Sequence, residues 1–171
     1  MACNNISSFT SNRHSLTITS NNAGKNMKNI VVFDLDGTIA LIEHRLHFLE
    51  GKKNWRKFFA ACTDDMPNEP IIEVLRGLHK QGYQIWIVSG RSDEVKKETV
   101  EWLKKFSVPH DHLIMRGFGD LTADHVLKRG WLTKGLIPKE RVLMVFDDRD
   151  KVVAMWRSQG LVCAQVAPGD F

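Results

Sequence analysis

The sequence predicts an α/β fold in which a doubly wound, Rossmann-type parallel sheet lies between two layers of helices. Short apolar runs rich in β-branched residues alternate with amphipathic segments from residue 28 onward. Right-handed crossovers between parallel strands place such helices on both faces of one sheet, as a three-layer α/β/α sandwich. The chain has 171 residues, of which 43% are hydrophobic and 26% charged. It is therefore long enough for one domain with a substantial core.

The predicted elements follow one another in a regular order. Five segments have the short apolar character of buried strands: 30–32, 83–88, 112–115, 142–146 and 161–166. Helices are expected to begin near Asn68, Ser92, Thr122 and Asp150. The buried face of the first of these helices is expected to hold four apolar side chains: Ile71, Val74, Leu75 and Leu78.

One segment, at about 39–67, does not fit this alternation. Trp55, Phe58, Phe59 and Cys62 have the spacing of an apolar stripe on a helix. We therefore predict a small helical cap insertion inside a domain that spans residues 27–171. Basic residues lie among these aromatic side chains, so the segment suits nucleic-acid contact as well as it suits packing onto the domain.

Composition narrows the function classes. Lysine and arginine exceed aspartate and glutamate by 24 − 20 = 4, which is compatible with anionic substrates and equally with solubility alone. No apolar stretch is long enough for a membrane span, so no membrane association is expected. The three cysteines show no ligand spacing, which predicts reduced thiols and a cytoplasmic location. Residues 1–26, rich in Asn, Ser and Thr, are interpreted as a disordered tail or tag, with a transit peptide as the alternative.

Polar residues with a common chemistry follow several of the predicted strands. Asp34 and Asp36 follow the first, Ser89 the second and Asp147-Asp148 the fourth. The carboxyl ends of parallel strands meet at one edge of a sheet, so these side chains are expected to lie together. Phosphoryl transfer through an aspartyl phosphate requires such a set: a nucleophilic carboxylate, a second acid, a hydroxyl, a lysine and Mg²⁺. Lys128 and Lys134 are the two candidates for the lysine.

Three motifs resemble those of the haloacid dehalogenase (HAD) superfamily of phosphatases: Asp34-Leu35-Asp36-Gly37-Thr38, Val88-Ser89-Gly90 and Asp147-Asp148. The resemblance implies that Asp34 is the nucleophile and Asp36 the general acid/base. It further implies that Ser89 and Lys128 bind the phosphoryl group. The implied ligands of a Mg²⁺ cofactor are Asp34, Asp36 (through its main-chain carbonyl), Asp147 and Asp148.

A further likeness covers about residues 29–171. Ser89-Gly90-Arg91, Val126-Leu127-Lys128, Asp147-Asp148-Arg149, Met155-Trp156-Arg157 and the ending 165–171 resemble the phosphatase half of phage polynucleotide kinase/3′-phosphatases. This implies a 3′-phosphorylated nucleic acid end or nucleotide as substrate. The candidates for contacting it are Thr38, Gly90, Arg91, Arg116 and Asp124. The insertion shares no motif with the phage enzyme, and the sequence itself indicates no obligate protein partner.

Other functions remain open at this point. A 5′-nucleotidase or another small-molecule phosphatase would use the same residues. A noncatalytic phosphate-binding or receiver-like signalling domain also combines an acceptor aspartate, an acidic pair, a hydroxyl and a lysine, but its acidic pair follows the first strand. A calcium loop of the EF-hand type would place Val32 at its first ligand position, where a carboxylate belongs.

Overall fold

The computed structural model describes residues 28–169, so the expected tail at residues 1–26 and the last two residues of the sequence lie outside the described part. The strands are β1 (Ile30–Phe33), β2 (Ala40–Leu41), β3 (Met66–Pro67), β4 (Gln84–Ser92), β5 (His112–Arg116), β6 (Val142–Asp147) and β7 (Cys163–Gln165). The α-helices are α1 (Trp55–Ala60), α2 (Glu69–Lys80), α3 (Lys96–Lys105), α4 (Asp124–Thr133) and α5 (Asp150–Ser158). Short 3-10 helices cover Glu43–Leu49, Ala61–Asp64, Asp93–Val95 and Lys139–Arg141.

The central sheet has five strands in the order β5-β4-β1-β6-β7. Every neighbouring pair in it is parallel. Successive side chains of β1 point to opposite faces, so Ile30 and Val32 pack with α4 and α5, whereas Val31 and Phe33 pack with α2 and α3. The predicted α/β/α sandwich is therefore confirmed.

Three details of the elements differ from the sequence expectation. Strand β4 continues through Ser92, so Ser89 lies within a strand. Helix α4 begins at Asp124, two residues after Thr122, where a helix is expected to begin. In α2, Leu75 is buried and Ile71 and Leu78 pack against the core as predicted, but Val74 is exposed and Ile72 is buried in its place, because the buried stripe is rotated slightly towards Ile72. No helix in the described part of the chain is both long and apolar enough to span a bilayer.

The segment between β1 and α2 forms a small unit, which we call the insertion (residues 40–67). Antiparallel pairing of β2 with β3 closes its base. Phe58, Phe59 and Cys62 are buried in a cluster that also includes Val95, from the 3-10 helix before α3. Two of the aromatic side chains of the basic stretch thus serve packing, whereas Trp55 remains 39% exposed.

Candidate active site

The predicted polar residues meet where β1, β4 and β6 end, at the carboxyl edge of the sheet. Asp34 follows β1 directly, Ser89 lies in β4, and Asp147 is the last residue of β6. A cavity of about 530 Å³ opens at this edge, and the insertion contributes part of its wall. Strand β4 lies on one side of β1 and β6 on the other. The chain therefore changes direction across the sheet at β1, and open α/β sheets bind ligands at such a switch point.

A buried lysine lies behind Asp34, which lines the cavity. The Nζ atom of Lys128, on α4, donates to Asp34 Oδ1 at 2.6 Å and to Asp147 Oδ2 at 3.0 Å. Asp124, one helical turn earlier, places Oδ2 3.3 Å from the same Nζ atom. Lys134, the other candidate, is exposed at the end of α4. The structure therefore brings Lys128 to the candidate nucleophile and leaves Lys134 outside.

Burial and charge act against each other at this lysine and its partner. Burial raises the pKa of Asp34 well above its ordinary value, and the ammonium of Lys128 only partly opposes this shift. Burial would lower the pKa of Lys128, but the carboxylates of Asp124, Asp147 and Asp34 outweigh it and raise the pKa. The lysine therefore stays charged and supplies the positive charge that the ionised form of Asp34 needs.

Three buried carboxylates form a candidate metal site. One oxygen from each of Asp34, Asp147 and Asp148 lies within 4.8 Å of the others. Burial, followed by the neighbouring charge of Asp147, raises the pKa of Asp148 to about 7. Oxygen ligands of this kind suit a hard cation such as Mg²⁺, so the residues fit the implied cofactor. The side chain of Asp36 is not part of this cluster.

Gly37 lets the chain pass close to this cluster. It has φ +82, and a Cβ atom there would lie only 2.2 Å from Asp148 Oδ2. The hydroxyl of Thr38 is buried and donates to Asp148 Oδ1 at 3.4 Å. Thr38, expected to contact substrate, instead supports a candidate metal ligand, because its side chain points into the protein.

Asp36 is held by two arginines. Arg45 Nη2 donates to Asp36 Oδ1 at 2.6 Å. Arg91 donates to the same carboxylate through Nε, at 3.1 Å, and through Nη2. Although burial would raise the pKa of Asp36, the charges of Arg91 and Arg45 lower it to about 2. The carboxylate is therefore ionised in this arrangement.

Asp65 aligns both arginines. Its two carboxylate oxygens accept from Arg45 at 2.6 and 2.7 Å, and Oδ2 accepts from Arg91 Nη2 at 2.8 Å. The guanidinium of Arg45 also lies 4.1 Å from the ring centroid of Phe58. Neither Arg45 nor Asp65 is a sequence-predicted site residue, because a single arginine and a single aspartate in an irregular segment follow no recognisable pattern. Arg91, which the resemblance implies contacts substrate phosphate, lines the cavity, and its guanidinium is buried among Asp36, Asp65 and Thr99.

The other predicted residues take distinct places around the cavity. The hydroxyl oxygen of Ser89 accepts from Arg91 N at 3.1 Å, which leaves its proton free to donate to a ligand. Arg116 donates to Gly90 O at 2.7 Å and thereby ties β5 to β4. A Cβ atom at Gly90 would lie 2.3 Å from Asp124 Oδ1, so any other residue at this position would displace the Asp124 carboxylate. These four residues line the cavity together with Asp34, Asp36 and Arg91.

The Asp36 contacts predict a contribution to stability that is lost in acid. The folded pKa of about 2 lies below the ordinary 3.8, so the contribution is complete above about pH 4 and disappears as the pH falls towards about 2. Its size is about 2 kcal/mol. Urea unfolding between about pH 5 and pH 3 should show a smaller loss in Asp36→Asn, which lacks the titrating group, than in the wild type. Equal pH dependence in both proteins would contradict this.

Comparison with known proteins places the whole described region in one family. Residues 28–171 match the family model of the polynucleotide kinase PNKP phosphatase domain. The chain is 30% identical over 136 residues to a protein of Autographa californica nuclear polyhedrosis virus described as a bifunctional polynucleotide kinase/RNA ligase. The match covers 78% of this chain but only 18% of that protein.

Solved structures agree in fold. A chain from the Pnkp1/Rnl/Hen1 RNA repair complex is 30% identical, with a TM-score of 0.74, over 91% of this chain and 48% of that one. This chain thus spans about half the length of that relative. CbbY from Rhodobacter sphaeroides, solved in complex with phosphate, is 17% identical with a TM-score of 0.54, over 85% of this chain and 88% of that one. The second likeness shows the shared HAD-like fold alone.

Proposed function

This chain belongs to the family of polynucleotide kinase PNKP phosphatase domains and is a HAD-type phosphatase, and on that basis we propose that it removes 3′-phosphates from nucleic acid ends or nucleotides. The observation that carries the chemistry is the position of Asp34. Its carboxylate lies at the floor of the cavity, 2.6 Å from the ammonium of a fully buried lysine. A buried carboxylate beside a fixed positive charge is suited to nucleophilic attack on phosphorus.

A divalent cation is part of the proposal. The carboxylates of Asp34, Asp147 and Asp148 would hold Mg²⁺, together with the main-chain carbonyl of Asp36. When bound, the ion would offset negative charge on the phosphoryl oxygens and the clustered acids. Trp156 Nε1 donates to Asp147 Oδ2 at 3.2 Å, and Thr38 donates to Asp148. These bonds orient two of the carboxylates, as partners of metal ligands commonly do.

The first step follows from the side chains that surround Asp34. A carboxylate oxygen of Asp34 attacks phosphorus, and the bond between phosphorus and the 3′ oxygen breaks. The hydroxyl of Ser89 is placed to donate to a phosphoryl oxygen, and Lys128, whose Nζ atom faces Asp34, Asp124 and Asp147, supplies positive charge to the attacking carboxylate. Asp36, after taking up a proton from solvent, protonates the departing 3′ oxygen, and the product of this step is an aspartyl phosphate on Asp34.

The second step uses Asp36 as a base. Water attacks the aspartyl phosphate, Asp36 takes its proton, and the bond between phosphorus and Asp34 breaks to release inorganic phosphate. The ionised form that Arg45 and Arg91 favour is the form this step needs. Protonating the leaving oxygen requires the carboxyl group of Asp36 to exchange its arginine contacts for the leaving group, since the arginines hold the pKa of Asp36 at about 2.

The proposal also concerns the cellular compartment and protein partners. The thiols of Cys62 and Cys163 are free and buried, which supports a reducing compartment such as the cytoplasm. Two structural relatives come from Pnkp1/Rnl/Hen1 complexes, so the expectation that no protein partner is needed finds no support in them. Co-purification tests whether this chain also assembles with partner proteins.

Phosphate release from matched substrates tests the proposal. We expect release from a 3′-phosphorylated oligonucleotide and much slower release from the same oligonucleotide carrying a 5′-phosphate. EDTA should abolish release, and excess Mg²⁺ should restore it, because the acidic cluster needs a cation to bind an anionic ester. Equal release from both ends would favour a general phosphatase, and preference for the 5′ ester a 5′-nucleotidase. A protein that binds phosphate without hydrolysing any ester would be a noncatalytic domain.

A further inference from the structure

Two apolar side chains stand exposed at the mouth of the catalytic cavity. Phe118 is 75% exposed and Leu121 is 91% exposed. Both lie in the segment between β5 and α4, and both line the cavity. Single exposed apolar residues are ordinary on protein surfaces, but two on one loop beside an active site form a local apolar surface for which the fold has no packing use.

Hydrogen bonds fix the backbone of this loop. Phe118 N donates to Asp93 Oδ1, and Thr122 N donates to Asp120 Oδ1, both at 2.8 Å. Arg116 Nη1 donates to the main-chain oxygens of Asp120, at 3.2 Å, and Thr122. The loop is therefore ordered from both sides while its apolar side chains face the opening. A ligand that binds these side chains therefore does not have to order the loop backbone.

The insertion adds a second aromatic surface to the same cavity. Trp55 lines it and stacks on Phe59, with ring centroids 5.8 Å apart and an interplanar angle of 28°. Arg56, its neighbour, and Lys151, on α5, also line the cavity, and neither forms an ion pair with another residue of 28–169. The mouth thus combines flat apolar surfaces with cations, whereas the floor holds the catalytic carboxylates.

We propose that Phe118, flanked by Leu121, is a stacking platform for the terminal nucleobase of a 3′-phosphorylated strand whose end is unpaired. This inference rests on the proposed 3′-phosphatase function and specifies its substrate class. A ring face accepts any base by stacking, and aromatic stacking contributes about 1–3 kcal/mol per base. A cavity of about 530 Å³ is in the range for one small ligand, so a single terminal nucleotide fits it, whereas a paired base would have to bring its partner nucleotide into the same space. Arg56 and Lys151 are placed to attract the phosphates of the preceding nucleotides.

The experiment compares two single-stranded 3′-phosphorylated oligonucleotides that differ only at the last nucleotide, which carries a base in one and is abasic in the other. For the wild type, we expect KM for the abasic end to be about 5- to 100-fold higher. In Phe118→Ala this ratio should fall towards one, because the platform is lost. In Phe118→Tyr it should remain, because a ring face is retained.

Two leucine variants control for a general disturbance of the structure, and two further substrates show which kind of 3′-phosphate ester is preferred. Leu121→Ala should lower the ratio, whereas Leu136→Ala removes a leucine that is 51% exposed outside the cavity and should leave it unchanged. Blunt duplex ends should be poorer substrates than single strands. A free nucleoside 3′-phosphate should share the base effect but lack the contribution of the preceding phosphates.

The outcomes distinguish this inference from the function on which it rests. If the wild type releases 3′-phosphate equally well from abasic and normal ends, the base platform is wrong and the 3′-phosphatase function stands. If Phe118→Ala raises KM equally for both ends, the side chain only maintains the loop, and the inference is again wrong. If the wild type turns over 5′ esters and no 3′ ester, the proposed function fails and the inference falls with it.

Discussion

Asp34→Asn is expected to lower the rate of phosphate release by on the order of 10⁴- to 10⁶-fold, the range that loss of an essential catalytic side chain produces. An amide oxygen is a poor nucleophile, and no aspartyl phosphate can form at this position. Steady-state phosphate release at saturating Mg²⁺ measures the effect. Asp64→Asn is the matched control, because Asp64 is exposed in the insertion and outside the cavity lining, so its rate should stay near that of the wild type.

The same substitution should leave the fold intact. Burial disfavours the charge of Asp34 in the folded state, as the raised pKa shows, and asparagine has nearly the same shape. Lys128 keeps Asp147 and Asp124 as partners. The free energy of unfolding is therefore expected to change by less than about 2 kcal/mol. Substantial hydrolysis by a folded Asp34→Asn protein would refute the mechanism, whereas an unfolded variant would refute this account of the electrostatics.

Lys128→Met is expected to cause the largest loss of stability, about 3–5 kcal/mol, because it removes the charge that Asp34, Asp124 and Asp147 share. Methionine fills similar space, so the loss reports charge more than packing. Lys134→Met makes the same chemical change on an exposed residue of the chain and should change stability by less than about 0.5 kcal/mol. Urea unfolding of both variants in EDTA measures the difference.

The pH dependence of the stability lost in Lys128→Met provides an independent check. Burial raises the pKa of Asp34 and of Asp148 in the folded state, and the ammonium that opposes both shifts is missing from the variant. The folded state of the variant is therefore favoured when these two groups are protonated, and stability is lost as the pH rises. The deficit should therefore be smaller at about pH 5 than at about pH 8. Adding Mg²⁺ at the higher pH should recover part of it, since a cation can take over the role of the ammonium. A deficit independent of both pH and Mg²⁺ would point to packing instead.

The sequence reveals the fold and the floor of the site because both follow from local patterns. Apolar runs identify the strands of the sheet, and the order of polar residues after them places Asp34, Ser89 and Asp147 at one edge. The comparisons confirm the family that these motifs resemble. The residues alone do not decide between Lys128 and Lys134 as the phosphate-binding lysine. The choice depends on which side of α4 packs against the sheet, and tertiary packing determines that.

The surroundings of Asp36 could not be predicted for a related reason. Arg45 and Asp65 are 20 residues apart, on either side of the helical stripe in that segment and in no pattern with it, and only the fold of the insertion brings them together at Arg91. The sequence identifies Arg91 as a candidate site residue, but it does not predict that the guanidinium contacts Asp36 and Asp65. Phe118 and Leu121 carried no signal at all, since exposed apolar residues in a loop resemble any other loop residues.

The double use of the insertion limits how this enzyme can be re-engineered. Trp55 and Arg56 belong to the cavity mouth, while Arg45 and Asp65, from the same 28-residue unit of residues 40–67, set the charge state of Asp36. A graft of the corresponding segment from another phosphatase would therefore exchange the substrate entrance and the tuning of the acid/base together. The proposed substrate entrance and the proposed acid/base are linked through one segment of this chain, so a successful chimaera would have to carry an arginine and an aspartate at these two places.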